Sequence, residues 1–152
     1  MIINNIIKNI KRYGLMSLIG KISKRFLGFQ ILDPIQKKRS FLSKEIERIT
    51  NGKVVKGIYS GTKFINSSHY FLAKSSQLLG SYELEVQNEI YNLSSNFKLA
   101  YFINLGAGEG YHSVGSMYKK LFRKCITFEA EKENNKTILK NNEINNIKNF
   151  II

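Results

Sequence analysis

Apolar positions change period along this chain, and each period predicts an element. Ile2, Ile3, Ile6, Ile7 and Ile10 recur at helical spacing, with Lys8, Lys11 and Arg12 between or beyond them. Gly14 interrupts the stripe; Leu15, Leu18, Ile19, Ile22 and Phe26 resume it beside Lys21, Lys24 and Arg25. Asp33-Pro34 is an N-cap and first-turn signal. It opens a helix whose apolar face is Phe41, Leu42, Ile46 and Ile49, and Asn51-Gly52 ends it. Lys53 to Tyr59 reads as a short strand closed by Gly61, whereas the serine- and aromatic-rich residues 62–80 fit neither period. Glu83 to Leu93 is helical, with Leu84, Ile90 and Val86 inward. After it the chain alternates: strand 99–104, helix 111–123, strand 125–129, helix 131–146 and a strand beginning near Lys148. The expected class is α/β, in three stretches: a helical extension over 1–50, a pre-core segment over 51–98 and a core over 99–152.

Candidate chemistry sits at the turn of the first strand–helix unit. Phe102-Ile103-Asn104-Leu105 reads as a buried strand running into Gly106-Ala107-Gly108-Glu109-Gly110-Tyr111. Cys125-Ile126-Thr127-Phe128-Glu129 reads as a second buried strand tipped by one carboxylate. Glycines at 106, 108 and 110 remove Cβ atoms, so a ligand can press against bare backbone. Glu129 lies 23 residues after Gly106, near the roughly 20 expected of an acid that reaches ribose hydroxyls. A dinucleotide fingerprint is G-x-G-x-x-G, with pyrophosphate at the helix N-terminus. Here the spacing is G-x-G-x-G, Tyr111 takes the place of the third dinucleotide glycine, and Glu109 puts an anion where a pyrophosphate would be repelled. A ligand with positive charge and no phosphate suits this turn; S-adenosylmethionine, with its sulfonium and ammonium groups, fits that description.

Asn104-Leu-Gly-Ala-Gly-Glu-Gly-Tyr111 resembles motif I of class I S-adenosylmethionine-dependent methyltransferases, and Phe128-Glu129-Ala130 resembles the acidic-tip motif that follows it. Lys140-Asn-Asn-Glu-Ile-Asn-Asn-Ile-Lys-Asn149 is similar to the asparagine-rich end of the second helix in FkbM-like members. Leu79-Gly80-Ser81-Tyr82-Glu83-Leu84-Glu85 is similar to a segment that precedes motif I there. The resemblance covers roughly residues 55–152. It implies a Rossmann-like fold, S-adenosylmethionine as cofactor, and O-methyl transfer to a sugar, glycan or small metabolite. It also implies a ligand site of Asn104, Gly106, Ala107, Gly108, Glu109, Gly110, Tyr111, Glu129 and Ala130, with Tyr82 and Glu83 closing over the methionine end. The chain departs from many members at Asn104, where an acid is usual; the amide oxygen still accepts a hydrogen bond from an ammonium but brings no charge. The resemblance implies a larger sheet than the one begun near Lys148, so the chain reads as the N-terminal part of a longer protein.

Composition narrows the other readings. Of the net charge of +13, residues 1–66 carry 14 basic against 3 acidic side chains, and residues 67–152 carry 10 against 8. The basic character therefore belongs to the N-terminal half. Its amphipathic stripe suits packing on the domain, peripheral contact with an anionic membrane surface through residues 1–30, or, more weakly, nucleic acid; no nucleic-acid partner is expected. No apolar run approaches the ~20 residues of a membrane span, and no secretory signal is visible. The lone Cys125 argues against a disulfide scaffold and fits a reducing compartment, so the expected location is cytoplasmic. His112 follows the glycine turn and His69 has no identifiable partner; with Cys125 they show no metal-ligand spacing. A catalytic base is not assignable. Two other functions stay open: a non-catalytic remnant acting through its basic helices, and a nicotinamide-dependent oxidoreductase.

Overall fold

The computed structural model describes residues 34–65 and 71–152. The basic stripe of residues 2–26, Asp33 and His69 lie outside the described residues. Two compact units divide the chain, Met1–Lys44 and Glu45–Ile152. The elements are α1 (Pro34–Thr50), α2 (Phe71–Leu79), α3 (Leu84–Phe97), β1 (Tyr101–Leu105), α4 (Tyr111–Tyr118), β2 (Lys124–Phe128), α5 (Lys132–Ile144) and β3 (Phe150–Ile151). The class is mixed α/β. Among the described residues no helix is long and apolar enough to cross a membrane.

Helix α1 starts at Pro34, as the first-turn signal predicts, but Phe41, Leu42 and Ile49 of its expected apolar face are exposed. The strand expected over Lys53 to Tyr59 does not form. In its place, residues 52–64 fold back on themselves around a single antiparallel bridge, Lys53 with Lys63. Val54 N–H donates to Thr62 O at 2.9 Å, and Phe64 N–H donates to Gly52 O at 2.9 Å. The chain cannot run straight because Gly57 turns it at φ 78° and packs on Gly80, where a Cβ on either residue would strike the other segment's backbone. The ambiguous stretch before Gly80 contains α2. This helix ends in a Schellman arrangement, with Gly80 N–H donating to Gln77 O and Ser81 N–H to Ser76 O.

Helix α3 begins one residue later than expected and runs to Phe97. Its inward face also differs: Leu84 and Val86 are exposed, while Gln87 and Ser94 are buried and Ile90 packs on the core. Gln87 donates from Nε2–H to Tyr82 O at 2.5 Å.

The three strands form a parallel sheet in the order β1-β2-β3. Register pairs Tyr101 with Lys124, Ile103 with Ile126 and Leu105 with Phe128, and pairs Ile126 with Ile151. Alternation along parallel strands therefore puts Phe102, Asn104, Cys125, Thr127 and Phe150 on one face. On that face Phe102, Cys125 and Phe150 join Ile90, Met117 and Phe122 in one core cluster, and Phe102 stacks on Phe122 at 5.0 Å. Val54, Tyr59, Phe64, Tyr111 and Val114 make the adjoining cluster. The opposite face is open: Tyr101, Ile103, Leu105, Phe128 and Ile151 are exposed, Leu105 at 74%. The expectation that these strands are buried is corrected here, because the described helices that pack on the sheet do so on one face only.

Helix α4 stops at Tyr118 rather than 123. Lys120 takes a left-handed φ of 56°, and Leu121 N–H returns to Ser116 O. Helix α5 ends at Ile144, with Asn146 left-handed just beyond it.

Candidate ligand-binding site

The glycine turn is built where β1 ends and α4 begins, and backbone hydrogen bonds tie it to the tip of β2. Gly106 N–H donates to Phe128 O at 2.8 Å and Ala107 N–H to the same oxygen at 3.2 Å. Gly106 has φ 71°, and a Cβ there would meet nothing within 4 Å. Its glycine serves the left-handed turn and leaves the floor above it open. Gly110 has φ 84° for a different reason: a Cβ would come within 3.0 Å of Val114 and 3.1 Å of Ile138. This glycine lets α4 and α5 close on the turn.

Glu129 is the latch. Its carboxylate accepts from Gly108 N–H at 2.6 Å and from Glu131 N–H at 2.8 Å. These backbone donors, that of Glu131 first, hold its carboxyl below the usual carboxylate range. The Asn134 side chain and the Ala130 N–H also hydrogen-bond to this carboxylate, so it is held from several sides at the tip of β2. Glu129, Ala130 and Gly106 line an open groove of about 1070 Å³ that continues past Phe128, Leu139 and Phe150.

Gly106 also lines a second, smaller cavity of about 170 Å³, with Asn104, Ala107, Gly108, Glu109, Tyr111, Tyr82, Glu83, Gln77 and His112. Thus the residues expected to form one site surround two adjoining spaces that share Gly106. Gly110 supports the turn by donating its N–H to Ala107 O at 2.9 Å.

Glu109 is 6% exposed, buried within the turn rather than on its rim. On the far side Lys74, also buried, donates from Nζ to Ile65 O at 2.5 Å. Burial lowers the Lys74 pKa, and the charge of Glu109 offsets part of that effect. Tyr111 packs at the helix start, as expected, with its hydroxyl donating to Gln77 O at 3.1 Å and its ring edge-on to Tyr82 at 5.4 Å. Glu83 occupies the N-cap of α3 in a left-handed conformation, φ 45°, and makes no side-chain cap hydrogen bond. Its carboxylate crosses instead to His112 Nε2 at 2.7 Å.

Several structural members of the site were not expected. Asn141 of α5, 1% exposed, donates from Nδ2 to Glu109 O at 3.0 Å and accepts from Ile65 N–H at 2.9 Å. Asn145 grips Lys63 through both its N–H and its C=O. Tyr59 is fully buried beneath α4, its hydroxyl within hydrogen-bond reach of Ser116 Oγ at 3.1 Å and His112 Nδ1 at 3.3 Å. A signal for the asparagines exists in hindsight: Ile138, Asn141 and Asn145 fall on one helix face. Cys125 is a buried free thiol, and burial pushes its pKa up to about 12.

Searches of family models, of curated proteins and of solved structures return no match to this chain.

Proposed function

We propose that this chain carries the S-adenosylmethionine-binding part of a class I methyltransferase, with a Rossmann-like core. One observation supports the reading above the others: a glycine-rich turn, latched by the acid at the tip of the next strand, separates a large apolar groove from a small polar cavity. The groove beside Glu129 is sized for a nucleoside whose ribose hydroxyls meet that carboxylate. The small cavity presents Glu83, Glu109 and Asn104, acceptors that suit an ammonium group. Bound there, the sulfonium would supply an electrophilic methyl group. The protein's own contribution is alignment and exclusion of water. By its resemblance to FkbM-like enzymes, the acceptor is a hydroxyl of a sugar, glycan or small metabolite.

A nicotinamide cofactor suits the geometry less well. Its pyrophosphate would lie against the turn, where Glu109 is buried and Glu129 already takes the Gly108 N–H. Calorimetric titration with S-adenosylhomocysteine, with NADH in parallel, tests the choice. Saturable binding of the first alone, weakened about tenfold or more by Glu129→Ala, is the expected outcome; NADH binding alone would reverse the assignment.

A further inference from the structure

We infer that His112 is a positioning residue that aims the Glu83 carboxylate at the cationic end of the ligand and so sets the preference for an amino-acid-bearing nucleoside over a bare one. The inference rests on the proposed ligand. It goes beyond it by assigning a specificity role to His112, Tyr59 and Ser116.

The chain of contacts begins in the core. Ser116 Oγ, Tyr59 OH and His112 Nδ1 lie in series at 3.1 and 3.3 Å, and His112 Nε2 continues the series to Glu83 at 2.7 Å. Donor and acceptor chemistry orders the protons. An ionised carboxylate only accepts, so Nε2 carries the hydrogen. In the tautomer with its hydrogen on Nε2 alone, Nδ1 is the acceptor and Tyr59 O–H is its donor. Tyr59 keeps its hydroxyl proton throughout the neutral range, as tyrosine ordinarily does, and burial pushes its pKa further up, to about 12. Its own oxygen accepts from Ser116. The series has a single direction and ends on a carboxylate that remains charged. The His112 hydrogen bond is also the main cause that holds the Glu83 carboxyl below its usual range.

Backbone conformation adds a second observation. Glu83 is a non-glycine residue at φ 45° and ψ 52°, a left-handed placement that side chains with a Cβ rarely adopt. The usual return for a polar N-cap residue is a side-chain bond to its helix, and Glu83 makes none. Its side chain is spent on His112 at the cavity wall. Tyr82 and Tyr111 flank the imidazole at 6.1 and 5.4 Å between ring centres, which limits its tilt. Strain and orientation together point the one half-exposed carboxylate of the cavity along a fixed line.

Two titrations on the full chain test this: S-adenosylhomocysteine, which carries the ammonium, and 5′-methylthioadenosine, which lacks it. His112→Ala is expected to weaken the first about tenfold while leaving the second within about twofold. His112→Gln, whose amide still donates to Glu83, is expected to recover most of the loss. Glu83→Gln should reproduce the His112→Ala defect, and adding His112→Ala to it should cost nothing further. Equal weakening of both ligands by His112→Ala, or additive losses in the double variant, would overturn the positioning role and leave the ligand assignment standing. Failure of the unsubstituted chain to bind either ligand would sink the ligand assignment, and this inference with it.

Discussion

Glu129, the acid proposed to meet the ligand, is also a structural residue. Its carboxylate satisfies Gly108 N–H and Glu131 N–H, joining the glycine turn to the start of α5. Because its folded pKa lies below the ordinary carboxylate value of 4.5, its contribution to stability is present above that value and is lost as pH falls through the folded one. Urea unfolding at about pH 6 and about pH 3 should therefore show a smaller acid-induced loss for Glu129→Gln than for the parent chain; an unchanged loss would remove the latch from the structure's energetics. The spacing of Gly106, Gly108, Gly110 and Glu129 is visible in the sequence because a turn is a local object. Gly115 is not readable in that way. Its Cβ would sit 2.5 Å from the Tyr59 ring, a contact between segments that no local pattern encodes.

At the scale of elements, the strand–helix alternation after residue 98 is carried by periodicity and holds with shifts of one to a few residues at most ends. The preceding segment departs from its local pattern for physical reasons. Lys53 to Tyr59 has strand-like residues, yet Gly57 docks on Gly80 and Tyr59 inserts under α4, so tertiary packing overrides local propensity. Helix α3 buries Gln87 in preference to Leu84 and Val86, which an apolar-stripe reading cannot anticipate. Helix α5 likewise acts through amides: Asn141 bridges residues 32 and 76 positions away. Asn141→Leu leaves the buried Glu109 C=O and the half-buried Ile65 N–H without partners, at up to about 1–3 kcal/mol each. Chemical denaturation should show a loss of about 2–5 kcal/mol, against a change within about 0.5 kcal/mol for exposed Lys140→Ala. Equal effects would mean that the asparagine bridge does not hold the turn.

At the scale of the molecule, the described residues cover the sheet on the Phe102 and Cys125 side and leave it open on the Ile103 and Leu105 side. Parallel sheets ordinarily have both faces covered, so the open face is the largest departure from what the strand pattern alone implies. Such a contiguous apolar surface should bind a hydrophobic dye such as ANS in the native chain, and Ile103→Glu should reduce the fluorescence gain without abolishing cooperative unfolding. No dye response in a folded chain would mean that the face is covered in solution. The groove beside Glu129 and the cavity beside Glu83 both lie on Gly106, and that juxtaposition is where fold and chemistry meet. Its parts were predictable from spacing; its division into two spaces with different polarity was not, because Gln77 and His112 reach it from separate helices.

Amide chemical-shift mapping places a ligand on that division. With a ¹⁵N-labelled chain, S-adenosylhomocysteine should shift the Gly106, Gly108 and Glu129 amides together with those of Glu83 and His112, and NADH at the same concentration should leave them in place. Shifts confined to other surfaces, or a stronger response of the same amides to NADH, would contradict the assignment of this turn to an S-adenosyl ligand.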